Sequence, residues 1–263
     1  MSARVEFTVF TKPWKMPLVE LAGLVKKLGF SGIELPVRPG YQIEPKEAVK
    51  KLPEAARMFA DHGLRIGSVA GPAEEGTIAA CGEAGVPIIR VMVHVEQGQT
   101  YQAAEDDARR MFEGVIAALE KHGVKIGVQN HADQSIGSMA GVHRLIEPFE
   151  ARHVGAVLDF AHCSVAGESP ALACDVIWDR LCLVNMKNCY LRPIRRPGGS
   201  VTEWEKVWCA GREGFAHWPT VATELKKRNY SGDVCLCAEY SDESALNTLV
   251  AEDLAFVREL LTG

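Results

Sequence analysis

The sequence predicts an α/β protein, a single-domain (β/α)8 TIM barrel, and three observations predict it. Strand-like and helix-like patterns alternate from end to end, eight of each. The strand-like runs are continuously apolar, as strands buried on both faces are. The chain has 263 residues, close to the roughly 250 of one such barrel. The alternative is an open doubly wound sheet, which would carry a Gly-rich phosphate fingerprint after an early strand. None is present, so no nucleotide cofactor is expected.

The elements follow in order. VEFTVF is a β-branched and aromatic run, followed by helical spacing near 18–28; GIEL leads to a helix near 45–62 and RIGSVA to a short one near 74–83. IIRVMVH precedes a long helix near 101–122, VKIGVQ one near 139–149 and VGAVLD one near 170–178. LCLVNMK runs into a long polar loop at 188–216, containing LRPIRRPGG and GREG, before a helix near 218–227. VCLCAE and a helix near 243–261 complete the eighth unit. Gly29, Gly63, Gly85 and Gly123 stand where helices hand over to strands, at positions that favour a left-handed residue. The long loop leaves the mouth side of the seventh strand and reads as a lid or binding element rather than a surface insertion.

Composition bounds the function. Hydrophobic residues make up 47% and charged residues 24%, an ordinary globular balance. The net charge of −5 and the lack of a basic run argue against nucleic-acid or anionic-membrane partners. No run approaches the roughly 20 apolar residues of a membrane span, and the first residues lack the pattern of a signal peptide. The eight cysteines are scattered without a CxxC pair, which fits a reduced, cytoplasmic setting and not a cysteine zinc site.

The functional signal lies at four strand ends. VKIGV stops at Gln129, VGAVL at Asp159, LCLV at Asn185 and VCLCA at Glu239. Active sites of parallel barrels lie at the C-terminal strand ends, so these side chains are expected to converge. Side chains alternate along a strand; if Asn185 faces the mouth, so does Lys187, and Cys237 and Cys235 go with Glu239. One such residue alone would read as a polar group capping a loop, whereas four point to a shared site. Two carboxylates and two amides make an all-oxygen set of charge −2. It suits Mg²⁺ or Mn²⁺ better than zinc or copper, and such an ion would polarise a carbonyl or hydroxyl. Without an ion, the carboxylates and Lys187 can still bind a polyhydroxy ligand.

Other residues carry weaker signals. Glu34 ends the second strand and either reaches a sugar hydroxyl or caps a loop. His94 ends the fourth strand with its direction unsettled. His131 faces away from Gln129 on an ideal strand unless the loop has already turned. Arg192, Arg195, Arg196 and Arg212 in the long loop suit a phosphate or carboxylate, or are solvated loop charge. Trp14 either stacks on a sugar face or simply packs. Cys163, beside His162, has no partner arrangement for a nucleophile.

GxxGIEL from Gly29 to Leu35, the Asn130–His131 pair, LDFAH from Leu158 to His162, LVNMKN from Leu183 to Asn188, GREG and the AE pair ending at Glu239 together resemble the sugar phosphate isomerase/epimerase superfamily, the xylose-isomerase-like TIM barrels. The resemblance spans nearly the whole chain. It implies proton abstraction next to a carbonyl. It also implies a divalent-metal set at Gln129, Asp159, Asn185 and Glu239, with two departures: Gln129 stands where Glu is usual and Asn185 where His is usual. It implies substrate contact for His162 and matches Lys187. An amide cannot accept the catalytic proton, so Gln129 cannot serve as the base, and Glu239 remains as one base with Lys187 or His162 as acid.

The expected function is therefore a sugar isomerase or epimerase for a small keto-sugar, polyol or derivative. Glu239, Lys187 and His162 are the catalytic candidates; Glu34, His131, His94, Trp14 and Arg212 are the substrate-binding ones. A lyase acting on a 3-keto sugar or glycoside with one base is the first alternative. A non-catalytic sugar-binding protein on a degenerate scaffold is the second, against which Asp159, His162, Lys187 and Glu239 count. The partner is a small carbohydrate, and a homo-oligomer is compatible with a barrel of this kind.

Overall fold

The structure, a computed structural model, describes residues 5–194 and 198–263; the expectations placed on Arg195 and Arg196 lie outside them. Strands β1 (Val5–Phe10), β2 (Gly32–Pro36), β3 (Arg65–Ala70), β4 (Ile88–Met92), β5 (Lys125–Gln129), β6 (Val154–Asp159) and β7 (Leu181–Met186) run parallel and in sequence order. β8 (Asn188–Ile194) and β9 (Glu203–Cys209) then pair antiparallel, and β10 (Gly232–Leu236) closes the barrel between β7 and β1. The eight-stranded closed parallel barrel is the predicted fold. Around it lie α1 (Leu18–Leu28), α2 (Ala48–Asp61), α3 (Glu75–Ala84), α4 (Tyr101–His122), α5 (Met139–Ile146), α6 (Phe160–Val165), α7 (Pro170–Ile177), α8 (Trp218–Lys227) and α9 (Leu246–Thr262).

Two elements exceed the sequence reading. α6 starts directly from the end of β6, because the Asp159 Oδ1 accepts the amides of Ala161 (3.1 Å) and His162 (3.2 Å) and caps the helix. The long 188–216 segment carries an antiparallel ribbon, with Asn188 opposite Cys209 and Ile194 opposite Glu203. Its base is pinned by Asn188, whose Nδ2 donates to Gly211 O and Ala216 O while its Oδ1 accepts from Cys189 N and Ala216 N.

The main core fills the space between barrel and helices, with Phe59, Phe112, Phe160 and Trp218 fully buried there. A separate apolar plug of Phe10, Ala70, Val157, Leu183 and Cys235 fills the barrel axis. Above the plug the interior turns polar: Glu34, Ser68, Arg90, Gln129, Asp159 and Asn185 are all buried. The register sets Asp159 beside Asn185, and Asn185 beside Cys235. Polar groups in such a place are costly unless they are paired, so the top of the barrel is where the fold gives up hydrophobic burial for something else. All eight cysteines are free thiols.

The GREG turn is tied to α9. Gly211 N donates to Asp253 Oδ1 (2.7 Å) and Tyr240 OH to Asp253 Oδ2 (2.8 Å). A side chain at Gly211 would collide with the Trp218 ring, which is why glycine stands there. Burial pushes the Asp253 carboxyl up to about 6, against the two hydrogen bonds that pull it down. A raised carboxyl contributes stability at low pH, and that contribution is lost as the pH rises through about 6. Asp253→Asn keeps the neutral form at every pH. Its stability relative to the parent should therefore improve by up to about 3 kcal/mol between roughly pH 4 and pH 7, read from urea denaturation at both values; a pH-independent difference would contradict this.

Candidate active site

β4 supplies the residue that organises the barrel mouth. Arg90 interrupts the apolar run IIRVM, and its side chain is buried along with that of Glu34 on β2. The Arg90 Nε donates to Glu34 Oε1 at 2.8 Å and its Nη2 lies 2.8 Å from Glu34 Oε2, while Ser68 Oγ adds a bond at 3.0 Å. Arg90 Nη1 donates to Gln129 Oε1, and Gln129 Nε2 donates to Asp159 Oδ2 at 2.8 Å. A guanidinium only donates and an ionised carboxylate only accepts, so the Gln129 amide has one orientation. Asn130 clamps the next step: its Oδ1 accepts from Asp159 N (2.8 Å) and its Nδ2 donates to Asp159 O (3.1 Å).

Lys187 lies at the centre. Its Nζ donates to Glu239 Oε2 at 2.8 Å, sits 3.9 Å from Asp159 Oδ2 and 3.0 Å from His162 Nε2, and lies 4.2 Å from the centre of the Trp208 ring. Burial acts to strip its proton, but Asp159 and Glu239 outweigh that and hold the ammonium above its ordinary value. Glu239 also accepts from Lys12 through Oε1. Burial raises the Glu239 carboxyl, yet Lys187 and Lys12 win and bring it down to about 2. Burial pushes Asp159 up, with Lys187 offsetting part of the rise. Ala238, at φ 51 in the left-handed region that favours glycine, turns the chain just before Glu239.

His162 is fully buried, and burial together with Lys187 keeps the ring neutral. Ala132 N donates to its Nδ1 at 3.1 Å, so its hydrogen sits on Nε2, towards Lys187 and Asp159. Two donors thus face each other across 3.0 Å: the ring favours the amine form of Lys187 and the carboxylates favour the ammonium. This arrangement suits a group that hands a proton over and takes it back.

Lys187, His162, Asp159, Glu239 and Gln129 come together in this way, and His131 joins them because the chain has turned after β5: its ring lies 4.0 Å from that of His162. Asn185 lies beside Asp159 on β7, buried, with neither side-chain atom hydrogen-bonded among the described residues. Each orphaned group costs about 1–3 kcal/mol, which a water or a ligand hydroxyl would relieve. His94 sits at the rim, its Nδ1 2.8 Å from Ser135 Oγ and its ring edge-on to His131. Glu34 lies beneath the mouth, spent on Arg90 and Ser68. Trp14 is buried with its Nε1 on Asn247 Oδ1, and Arg212 stacks on Phe256 at 3.7 Å; neither borders the cavities at the mouth.

Two cavities meet at Lys12 and Glu239: an outer one of about 600 Å³ under Trp208, Tyr41 and Tyr240, and an inner one of about 40 Å³ bordered by Phe10, Arg38, Arg90, His131 and Lys187. Sequence reasoning missed Arg90, Lys12, Arg38 and Trp208. Arg90 had a signal, a lone charge inside an apolar run, since only a paired charge is tolerated there. Lys12 shares strand parity with Thr8 and Phe10. Trp208 had none, because the ribbon that carries it read as loop.

A family model described as xylose isomerase-like TIM barrel matches residues 22–260. Among solved structures, D-psicose 3-epimerase from Clostridium cellulolyticum H10 superposes with a TM-score of 0.75 at 14% identity, covering 97% of this chain and 99% of that one. The 3-keto-D-glucoside 4-epimerase from E. coli gives 0.73 at 15%, covering 97% and 100%. A xylose isomerase domain protein from Alicyclobacillus acidocaldarius gives 0.74 at 17%, covering 98% and 100%. No curated protein matches the chain in sequence. At these identities the likeness to solved structures shows the fold alone.

The four corners expected to hold a divalent ion do not fit one. Gln129 turns its oxygen to Arg90 and its NH2 to Asp159. Both oxygens of Glu239 are taken by lysines, and Asp159 Oδ1 caps α6. Only Asn185 keeps an unpaired oxygen. Among the described residues, no three His, Cys, Asp or Glu side chains are grouped to hold a metal ion. An ion would have to displace Lys187 and sit beside Arg90. Accordingly, Mn²⁺ and Mg²⁺ should leave the melting temperature of the protein unchanged. In Lys187→Met, which takes the central cation away from Asp159 and Glu239 and leaves Oε2 of Glu239 open, saturating Mn²⁺ should raise it by several degrees, at about 2–4 °C per kcal/mol for a chain of this size. A rise in the unsubstituted protein would contradict the misfit.

Proposed function

The chain belongs to the xylose isomerase-like TIM barrel family, and from the site this barrel builds we propose that it is a sugar isomerase or epimerase that moves a proton next to a carbonyl of a small keto-sugar, polyol or derivative. The observation that carries the reading is Lys187, held between Glu239, Asp159 and His162 under the Trp208 ring at the inner end of the mouth. Structures of similar fold include epimerases of D-psicose and of 3-keto-D-glucoside, which agrees in kind.

The residues divide the work by their chemistry. Lys187 donates to the substrate carbonyl oxygen, so the charge that develops there meets a fixed cation in a dry site. As the ammonium shifts to that oxygen it loosens its hold on Glu239, whose basicity rises at the moment it is needed. Glu239 then takes the proton from the adjacent carbon. Lys187 passes a proton to the oxygen, and its amine is met by the Nε2–H of His162. Arg90, Gln129 and Asn130 hold Asp159 in place, and Trp208 excludes water from above.

The neutral amide of Gln129 leaves Glu239 as the one carboxylate bordering both cavities. One base suits aldose–ketose isomerisation, in which the proton returns to the neighbouring carbon. It equally suits elimination from a 3-keto sugar, and this observation keeps the lyase as a second reading. Proton transfer between two faces of one carbon is served less well.

The test is exchange of the α-hydrogen with D₂O across a panel of keto-sugars, followed by NMR. At least one should exchange, and Glu239→Gln should slow that exchange by about 10²–10⁴, with substrate binding kept. Binding without exchange in every member would favour a sugar-binding protein.

A further inference from the structure

The mouth holds more positive charge than its own carboxylates match. Lys12, Lys15, Arg38, Arg90 and Lys187 border the two cavities. Against these five stand Glu239 and Glu243 on the cavity walls and Glu34 and Asp159 buried behind, a surplus of one in a protein whose net charge is −5. Arg90 is matched by Glu34, and Lys187 and Lys12 by Glu239. Neither Arg38 nor Lys15 has an ion pair among the described residues. Lys15 is exposed over the Tyr41 ring at 3.1 Å.

Arg38 is the more telling of the two. It follows β2 in a turn fixed by backbone bonds from Val37 N to Ala70 O and from Arg38 N to Ile43 O. Its Nε donates to Ala70 O at 3.2 Å, which aims the side chain, and no bond from its Nη groups is made among the described residues. The guanidinium lies 5.8 Å from the Phe10 ring centre, on the ring that also carries Arg90 at 4.6 Å. Burial, then Arg90 beside it, push Arg38 below its ordinary value. Glu34 and Glu239 act on it from a distance and offset part of that fall. Neither forms an ion pair with it, so the fold aims a half-buried guanidinium at the mouth, close to a second one, with its outer edge open.

We infer that the substrate is an acidic sugar whose carboxylate seats on the open edge of Arg38, with its carbonyl end at Lys187 and Glu239. A guanidinium fork matches the two oxygens of a carboxylate. A surplus of one charge calls for one negative charge, where a phosphate brings about −1.5 to −2, and the inner cavity beside Arg38, about 40 Å³, favours the smaller, flat group. The proposal deepens the reading of the same site and rests on that reading only for where the carbonyl goes.

The test is calorimetric titration with D-gluconate, D-glucitol and D-glucitol 6-phosphate. The first two share a carbon skeleton and differ in one carboxylate. The protein should bind gluconate roughly 10- to 100-fold more tightly than glucitol. Arg38→Gln should erase that preference while leaving glucitol affinity and the melting temperature as they were, and Arg38→Lys should keep part of it. Failure of gluconate to bind, equal binding of gluconate and glucitol, tightest binding of the phosphate, or a gluconate preference that survives Arg38→Gln would each overturn it. The measurement reads binding alone, so a failed proton-exchange assay would count against the reaction and not against the acidic ligand.

Discussion

Charge can be buried at the top of a barrel only where each charge meets its partner, and the mouth of this barrel depends on one such contact, Lys187 with Glu239. Removing one member of a buried pair costs about 3–5 kcal/mol, because the other is left uncompensated. The contact fixes the state of everything around it. Glu239 stays ionised, Asp159 keeps a cation within reach, and His162 stays neutral between an amide donor and an ammonium. Arg90 repeats the device one layer deeper, where Glu34 matches it and Gln129 carries its influence to Asp159.

The barrel makes this possible by dividing its interior. The plug of Phe10, Ala70, Val157, Leu183 and Cys235 closes the axis, so the polar layer above rests on an apolar floor and is reached only from the mouth. The ribbon of β8 and β9 supplies the cover: Trp208 lies over Lys187, and the base of the ribbon is pinned through Asn188. Where the family resemblance implies a divalent ion, this chain places its own cations. The amide at Gln129 goes with the presence of Arg90, since an amide can bond to a guanidinium and a carboxylate at once.

Much of this was legible in the sequence. Eight apolar runs with glycines at helix ends gave the barrel, because burial on both faces leaves an unbroken apolar signature. The strand-end positions of Asp159 and Glu239, and the parity that carries Lys187 with Asn185, gave the centre of the mouth. What could not be read depends on long-range pairing. Arg90 is visible as an anomaly, but nothing local says that its partners are Glu34, 56 residues away, and Gln129, 39 away. Lys12 reaches Glu239 across 227 residues. The ribbon was hidden because its strands, for the most part only partly buried, mix apolar and charged residues without the regular alternation that marks a half-buried strand. Trp14 and Arg212 look like ligand residues by type, and nothing local says that the first bonds to Asn247 and the second stacks on Phe256.

The protein's own cations, Lys187 and Lys12, hold Glu239 as a carboxylate. Because its folded value lies below the unfolded one, the pair stabilises the fold above about pH 4.5 and ceases to do so as the pH falls towards 2. The direct measurement is a carbon NMR titration of the Glu239 carboxyl in the unsubstituted protein and in Lys187→Met. The carboxylate should resist protonation down to the lowest pH the fold survives, with a midpoint near about 2, and should move clearly upward when Lys187 is removed. An ordinary midpoint near 4.5 in the unsubstituted protein, or no change on removing Lys187, would contradict it.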